Sequence, residues 1–215
     1  MKTKHFLLFD LDGTVSNSAP GIMDSIEYAL SGMGIASPGR DFLAKFVGPP
    51  LRYSFKNYIG LSESDIEKAL KLYREHYSEK GIYNNSLFDG TADFLKKAKE
   101  EGKTVMLATS KPKVFADRVL EYLKVAQYFD YVSAAGFTPE HNEKWEIIAS
   151  ALKESGAEKS DCVMIGDRIY DVEGAGRNGI PCIGIVNGSP FENELHECGA
   201  YKVVKDFYEL SDYLL

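Results

Sequence analysis

The stretch FLLFDLDGTVSNS, residues 6 to 18, governs the reading of the chain. Four apolar residues run straight into Asp10 and Asp12, with only Leu11 between them, and Gly13 and Thr14 come next. The apolar run reads as a buried strand and the glycine as its exit turn. Close carboxylates repel, and burying either one unpaired is expensive. A surface turn capped by Asp and Gly explains the pattern without function. A site whose cation neutralises the charge explains it with one, and the rest of the sequence has to decide.

At 215 residues the chain is one large domain, or one domain carrying a smaller insert. From residue 86 onward strand and helix patterns alternate. TADFLKKAKEEGK puts Phe94, Leu95 and Ala98 at helical spacing and stops at Gly102; TVMLAT, residues 104–109, is a short β-branched run. PKVFADRVLEYLK predicts a helix from Pro112 with Phe115, Val119, Leu120 and Leu123 on one face. YVSAAG (131–136) reads as a strand and EKWEIIASALKESG as a helix ending at Gly156. DCVMIG (161–166), IPCIGIV (180–186) and YKVVK (201–205) complete the strands. Near-continuous apolar strands alternating with amphipathic helices predict an α/β fold, a parallel sheet covered on both faces.

Residues 17–85 differ. GIMDSIEYALSGMG and SESDIEKALKLYREHYSEKG are both helical, with no strand pattern between them. In the second, Ile66, Ala69, Leu70, Tyr73 and Tyr77 form an apolar stripe that reads as core packing, and Ser64 with Glu67 predicts a capping box. The expected division is a catalytic core of residues 1–16 and 86–215 with a helical domain, 17–85, inserted after the first strand.

The net charge of −7 argues against nucleic-acid and anionic-membrane partners. It also works against an anionic substrate, so a site for one needs local cations. Cys162, Cys182 and Cys198 are odd in number and form no CxxC spacing, which predicts buried free thiols and a reducing compartment. The apolar run near the N-terminus is too short for a signal peptide, and none approaches the roughly 20 residues of a membrane span. A cytoplasmic location is the expectation; the sequence leaves the oligomeric state open.

Ligands of parallel α/β sheets bind beyond the C-terminal ends of the strands, so the residues just past each strand are the informative test. FLLF leads into Asp10 and Asp12, TVMLA into Thr109-Ser110-Lys111-Pro112, and DCVMI into Gly166-Asp167 with Asp171 four residues on. Lys144 opens the helix after YVSAAG. Singly these are helix caps, strand residues and a solvated lysine. Together, four carboxylates, a hydroxyl and a lysine fall on one edge of one sheet. Asp10, Asp167 and Asp171 offer hard oxygen ligands suited to Mg²⁺. Thr109 and Ser110 can hydrogen-bond phosphoryl oxygens beside a helix N-terminus, and Lys144 adds a second cation. Asp10 is then the nucleophile, and Asp12 is placed to move the proton.

FDLDGTVSNS, LATSKP, Lys144 and IGDRIYDVEGAGRNGI resemble, in order, the four motifs of the haloacid dehalogenase-like phosphohydrolases. The resemblance spans the chain and implies a Rossmann-like three-layer core with the insert as a C1-type helical cap. FVGPPL, TSKP and GDRxxD look closest to the phosphoglycolate phosphatase-like branch, which includes 5′-nucleotidases. It implies Asp10 as nucleophile, Asp12 as general acid/base, and Thr109 and Lys144 holding the phosphate of a small phosphate ester. It also implies Mg²⁺ held by Asp10, the Asp12 backbone carbonyl and Asp167, with Asp171 in support. Asn17 departs from the family, standing where many relatives carry Asp.

Rival readings remain. GAGRNG, residues 174–179, fits the dinucleotide G-x-G-x-x-G, but its glycines close a helix before the next strand instead of opening one after a strand. A phospho-acceptor signalling domain would share the acidic residues, hydroxyl and lysine but turn over slowly. A nucleotide-sugar transferase would use DLD but leave GDRIYD without a role. The family's dehalogenases differ at the position of Asp12, so its presence favours phosphoryl transfer, by a phosphatase or by a phosphomutase of the same superfamily. Substrate choice is expected in the cap, where Arg52, after GPPL, is a candidate ligand for a substrate anion, and where Lys45, Phe46, Tyr53 and Phe55 would shape the pocket or pack the core. Hinges are expected near Val15–Asn17 and Asn84–Phe88.

Overall fold

The computed structural model describes residues 1–137 and 142–215. The chain forms two compact units, Asn17–Ser86 and Met1–Ser16 with Leu87–Leu215. The chain passes between them through two short strands that pair with each other, β2 (Ser16–Asn17) and β3 (Ser86–Leu87).

The Asn17–Ser86 unit is helical: α1 (Ala19–Gly32), α2 (Arg40–Leu43), α3 (Leu51–Ser54) and α4 (Glu63–Glu79). Helices α1 and α4 pack together. The Ile66, Ala69, Leu70, Tyr73 and Tyr77 stripe is buried, as a 3.6-residue apolar period demands. The cap of α4 differs from the expected Ser64–Glu67 box. Ser62 is the N-cap, and its hydroxyl accepts from the Asp65 amide. Ser62 has extended backbone while Ser64 already lies in the helix, and only the former geometry points a hydroxyl at the free amides. Phe46 and Phe55 are fully buried with ring centroids 5.6 Å apart, so they pack this unit's core.

The other unit is a six-stranded parallel sheet, β5-β4-β1-β6-β7-β8, flanked by helices. The strands are β1 (Phe6–Phe9), β4 (Thr104–Pro112), β5 (Tyr131–Ala135), β6 (Cys162–Gly166), β7 (Cys182–Ile185) and β8 (Lys202–Val204). The helices are α5 (Thr91–Glu100), α6 (Lys113–Tyr122), α7 (Lys144–Ser155), α8 (Ile169–Asn178), α9 (Glu192–Glu197) and α10 (Phe207–Leu214). Alternation along β1 serves both faces. Leu8 joins Met106, Met164, Ile147 and Ile148 in one cluster, while Phe9 meets Phe94 of α5 at 5.8 Å and Phe207 of α10 at 6.3 Å. Leu7, Leu8 and Phe9 have no exposed surface, each worth about 1.5–3 kcal/mol of burial.

β4 runs three residues past its expected end at Thr109. Its pairing with β5 shifts between Thr109 and Pro112, an irregularity that Lys111 and Ser110 occupy. The G-x-G-x-x-G lookalike lies in and after α8. Gly179 caps the helix in the left-handed conformation, and a Cβ at Gly174 would stand 2.9 Å from Lys144 Cγ, so this glycine lets α7 approach α8. Cys162 and Cys182 are buried, Cys198 is half-buried, and all three are free. Among the described residues no helix is long and apolar enough to cross a membrane.

Candidate active site

Strand β1 lies between β4 and β6, with Phe9 paired to Leu107 on one side and Ile165 on the other. Residues just past these positions therefore emerge side by side at one edge of the sheet. Asp10, Thr109 and Asp167 occupy that edge, and all three are buried. Carboxylate oxygens of Asp10, Asp167 and Asp171 lie within 4.8 Å of one another.

Lys144 enters this cluster from the first position of α7, whose start is fixed by a reciprocal Glu143–Glu146 capping box. Its Nζ donates to Asp10 Oδ1 at 2.6 Å and to the Ala108 carbonyl at 2.9 Å. The same ammonium sits 2.9 Å from Asp171 Oδ1, so one lysine pairs with both carboxylates. Burial pushes the Asp10 carboxyl up to about 6, against the pull of the Lys144 charge and with the Asp171 charge adding to the rise. Asp167 is driven well above the carboxylate range by burial and by the Asp171 and Asp10 charges. Burial opposes the Lys144 ammonium, but Asp10 and Asp171 outweigh it and hold its pKa above the ordinary lysine value. The cluster carries more negative charge than Lys144 can balance. Three buried carboxylates converging with an excess of charge make a donor set that fits a hard divalent cation.

The surrounding hydrogen bonds orient these groups. Thr14 Oγ1 donates to Asp167 Oδ1 at 3.1 Å, and the Arg168 amide donates to Asp171 Oδ2 at 3.1 Å. Gly13, at φ +88°, leaves room for Asp167, since a Cβ there would fall 2.2 Å from Asp167 Oδ2. Thr109 Oγ1 accepts from the Lys111 amide at 3.2 Å, so its own proton is free to face a ligand.

Of the residues singled out in the sequence, the sheet edge brings together Asp10, Asp12, Thr109, Lys144, Asp167 and Asp171, with Ser110 half-buried on β4 beside them. Arg52 belongs to the helical unit, where its guanidinium pairs with Glu63 at 3.1 Å and with Glu67. Further residues took no role from the sequence alone. Lys111 Nζ grips both oxygens of Asp12, each at 2.8 Å. Asn187 Nδ2 donates to the Gly13 and Thr14 carbonyls, tying the loop after β7 to the turn after β1. Arg168 is buried over the Phe191 ring and bonded to Glu194, whose Oε1 also accepts from the Ile169 amide at the start of α8. Lys111 stands in the quoted TSKP, which is the one signal available; Asn187 and Glu194 lie in loop and short-helix sequence without any.

The family model described as haloacid dehalogenase-like hydrolase matches residues 7–185. A 5′-nucleotidase of Pseudomonas aeruginosa is 37% identical over 189 residues, 88% of this chain and 86% of that protein. A protein named tyrosine-protein kinase PtkA, from Mycobacterium tuberculosis, is 35% identical over 85% of this chain and 62% of its own length. A crystal structure of a predicted phosphatase from Clostridium acetobutylicum superimposes with a TM-score of 0.94 at 37% identity, over 98% of this chain and 97% of that one. With its six-stranded parallel sheet and its match over residues 7–185, the chain belongs to the haloacid dehalogenase-like hydrolase family, among its phosphatases.

Proposed function

We propose that this phosphatase hydrolyses a small phosphate monoester, of the nucleoside monophosphate or phosphoglycolate class, through an aspartyl-phosphate on Asp10, with Mg²⁺ as cofactor. The single observation that carries the reading is the convergence of Asp10, Asp167, Asp171 and Lys144 at the strand-end edge.

Asp10 would attack phosphorus while the ester P–O bond breaks, and Asp12 would give its proton to the departing oxygen. Asp12, now a carboxylate, would take a proton from water as that water attacks the aspartyl-phosphate. The P–O bond to Asp10 then breaks, which frees inorganic phosphate and restores both carboxyl groups. Lys144 fixes the rotation of the Asp10 carboxylate through Oδ1. The Thr109 and Ser110 hydroxyls hold phosphoryl oxygens. Asp10, Asp167, Asp171 and the backbone carbonyl of Asp12 would hold Mg²⁺, which offsets the carboxylate repulsion and neutralises charge developing on the phosphoryl group.

The test is phosphate release from phosphoglycolate, nucleoside monophosphates, sugar phosphates and a chromogenic ester, with and without Mg²⁺, beside Asp10→Asn. Mg²⁺-dependent release that the variant lacks is expected, and the best substrate names the class. Release that survives Asp10→Asn overturns the nucleophile. The relative named a tyrosine-protein kinase supports one second reading, transfer of the phosphoryl group to a tyrosine hydroxyl. Incubation with ATP and a tyrosine peptide separates the two: phosphopeptide supports transfer, and free phosphate alone supports hydrolysis.

A further inference from the structure

The grip of Lys111 on Asp12 is the feature of the site that the proposed chemistry leaves unused. The Lys111 side chain is 4% exposed and that of Asp12 13%, and both Asp12 oxygens stand 2.8 Å from Nζ. The backbone under Asp12 is separately fixed. Asp12 forms a β-bridge with Ser16, and the Gly13 amide donates to the Ser16 carbonyl at 2.9 Å. With its Cα held by this turn, the remaining freedom of Asp12 is rotation of its side chain, and a two-oxygen contact with a buried ammonium removes it. Lys111 is held in turn, because its amide donates to Thr109 Oγ1 and its strand pairs with β1. Lys144 already serves Asp10, so the two lysines divide the two carboxylates between them.

We infer that Lys111 is a positioning residue for Asp12, holding the carboxyl group aimed for proton transfer to the leaving oxygen. The inference rests on the reading of Asp12 as the general acid/base. Proton transfer from a positioned side chain contributes roughly 10²–10⁴-fold, and alignment is part of that factor. An ester with a good leaving group needs less of the proton than an alkyl ester does. Loss of alignment therefore slows alkyl phosphates more than nitrophenyl phosphate, whereas loss of a phosphate ligand slows both alike.

The experiment measures kcat and KM on an alkyl phosphate and on nitrophenyl phosphate for the wild type, Lys111→Met, Lys111→Arg, Asp12→Asn and the Lys111→Met/Asp12→Asn double variant. For Lys111→Met we expect kcat on the alkyl ester to fall about 10–100-fold, less on the nitrophenyl ester, with KM unchanged. No further loss is expected when Lys111→Met is added to Asp12→Asn, because a residue acting through another has nothing left to position. Lys111→Arg, whose guanidinium can also hold a carboxylate by two bonds, should recover part of the loss. Equal losses on both esters with raised KM, adding to those of Asp12→Asn, overturn the inference and make Lys111 a phosphate ligand. If Lys111→Met fails to fold, a Lys111→Arg enzyme slowed equally on both esters overturns it as well. An Asp12→Asn enzyme equally slow on both esters overturns the reading of Asp12 itself, a different failure.

Discussion

Lys144 Nζ and Asp10 Oδ1 stand 2.6 Å apart, joining the start of α7 to the end of β1 across 134 positions of sequence. The same nitrogen holds the Ala108 carbonyl and faces Asp171, so one buried cation ties the end of β1, the middle of β4 and the first turn of α8 together. Breaking a buried pair by removing one partner leaves an uncompensated charge, at a cost of about 3–5 kcal/mol. Lys144→Met should lose stability of that order at pH 7 in urea unfolding, and phosphatase activity by at least about 100-fold. A variant as stable as the wild type would show that the carboxylates do not depend on this lysine.

The raised carboxyls set a pH dependence for metal binding. Asp10, raised to about 6, and Asp167, raised by burial and by the Asp171 and Asp10 charges, hold protons in the folded chain that the unfolded chain would release near pH 4. The contribution of such raised carboxyls to metal-free stability is thus present at low pH and lost as pH rises, for Asp10 through about 6. Protons and Mg²⁺ compete for the same oxygens. The thermal shift produced by Mg²⁺ should grow steeply as pH climbs through about 6. A shift independent of pH between 5 and 8 would place the ion elsewhere.

Gly13 and Gly176 should respond in opposite ways to alanine. Gly13→Ala forces a Cβ to 2.2 Å from Asp167 Oδ2 at φ +88°, and it should weaken Mg²⁺ binding about 10–100-fold. Gly176 is exposed in α8, with nothing within 4 Å of its Cβ position and no positive φ, so Gly176→Ala should stabilise by about 0.5–1 kcal/mol. Calorimetry of both variants checks the pair. Equal effects would contradict the stated packing around Gly13.

The ion pairs of Arg52 set an expectation for its substitution. Its guanidinium meets Glu63 and Glu67 within the helical unit, on a side chain 39% exposed. Exposed ion pairs contribute little. Arg52→Ala should leave KM within about twofold for anionic and neutral esters alike, and Tm within about 2 °C. A KM that rises for the anionic ester alone would make Arg52 a substrate ligand.

The sheet was legible because buried parallel strands are short, apolar and separated by helices of 3.6 periodicity; FLLF and CVMIG carry that signal directly. The candidate site was legible because ligands of a parallel sheet gather at strand ends, where the register places Asp10 and Asp167. Residues whose roles depend on side-chain direction were not legible. Lys111 meets Asp12 through the irregular end of β4, which the apolar pattern does not mark. Glu194 reaches Arg168 across 26 positions, and Ser62 takes the cap expected of Ser64 because backbone angle, not residue type, decides. The helix α10 lies beyond the elements expected from the sequence: it follows YKVVK, Asp206 caps it and Phe207 fills the core against Phe9.

The central claim is a covalent phosphoryl group on Asp10, and the direct measurement is chemical trapping. Enzyme turning over its best ester with Mg²⁺ is quenched with borohydride, which reduces an acyl phosphate to an alcohol, and the peptide carrying residue 10 is sequenced by mass spectrometry. The account predicts homoserine at position 10 that requires both substrate and Mg²⁺ and is absent from Asp10→Asn. Reduction at Asp12, Asp167 or Asp171 instead, or turnover with no reduced carboxylate anywhere, would contradict it.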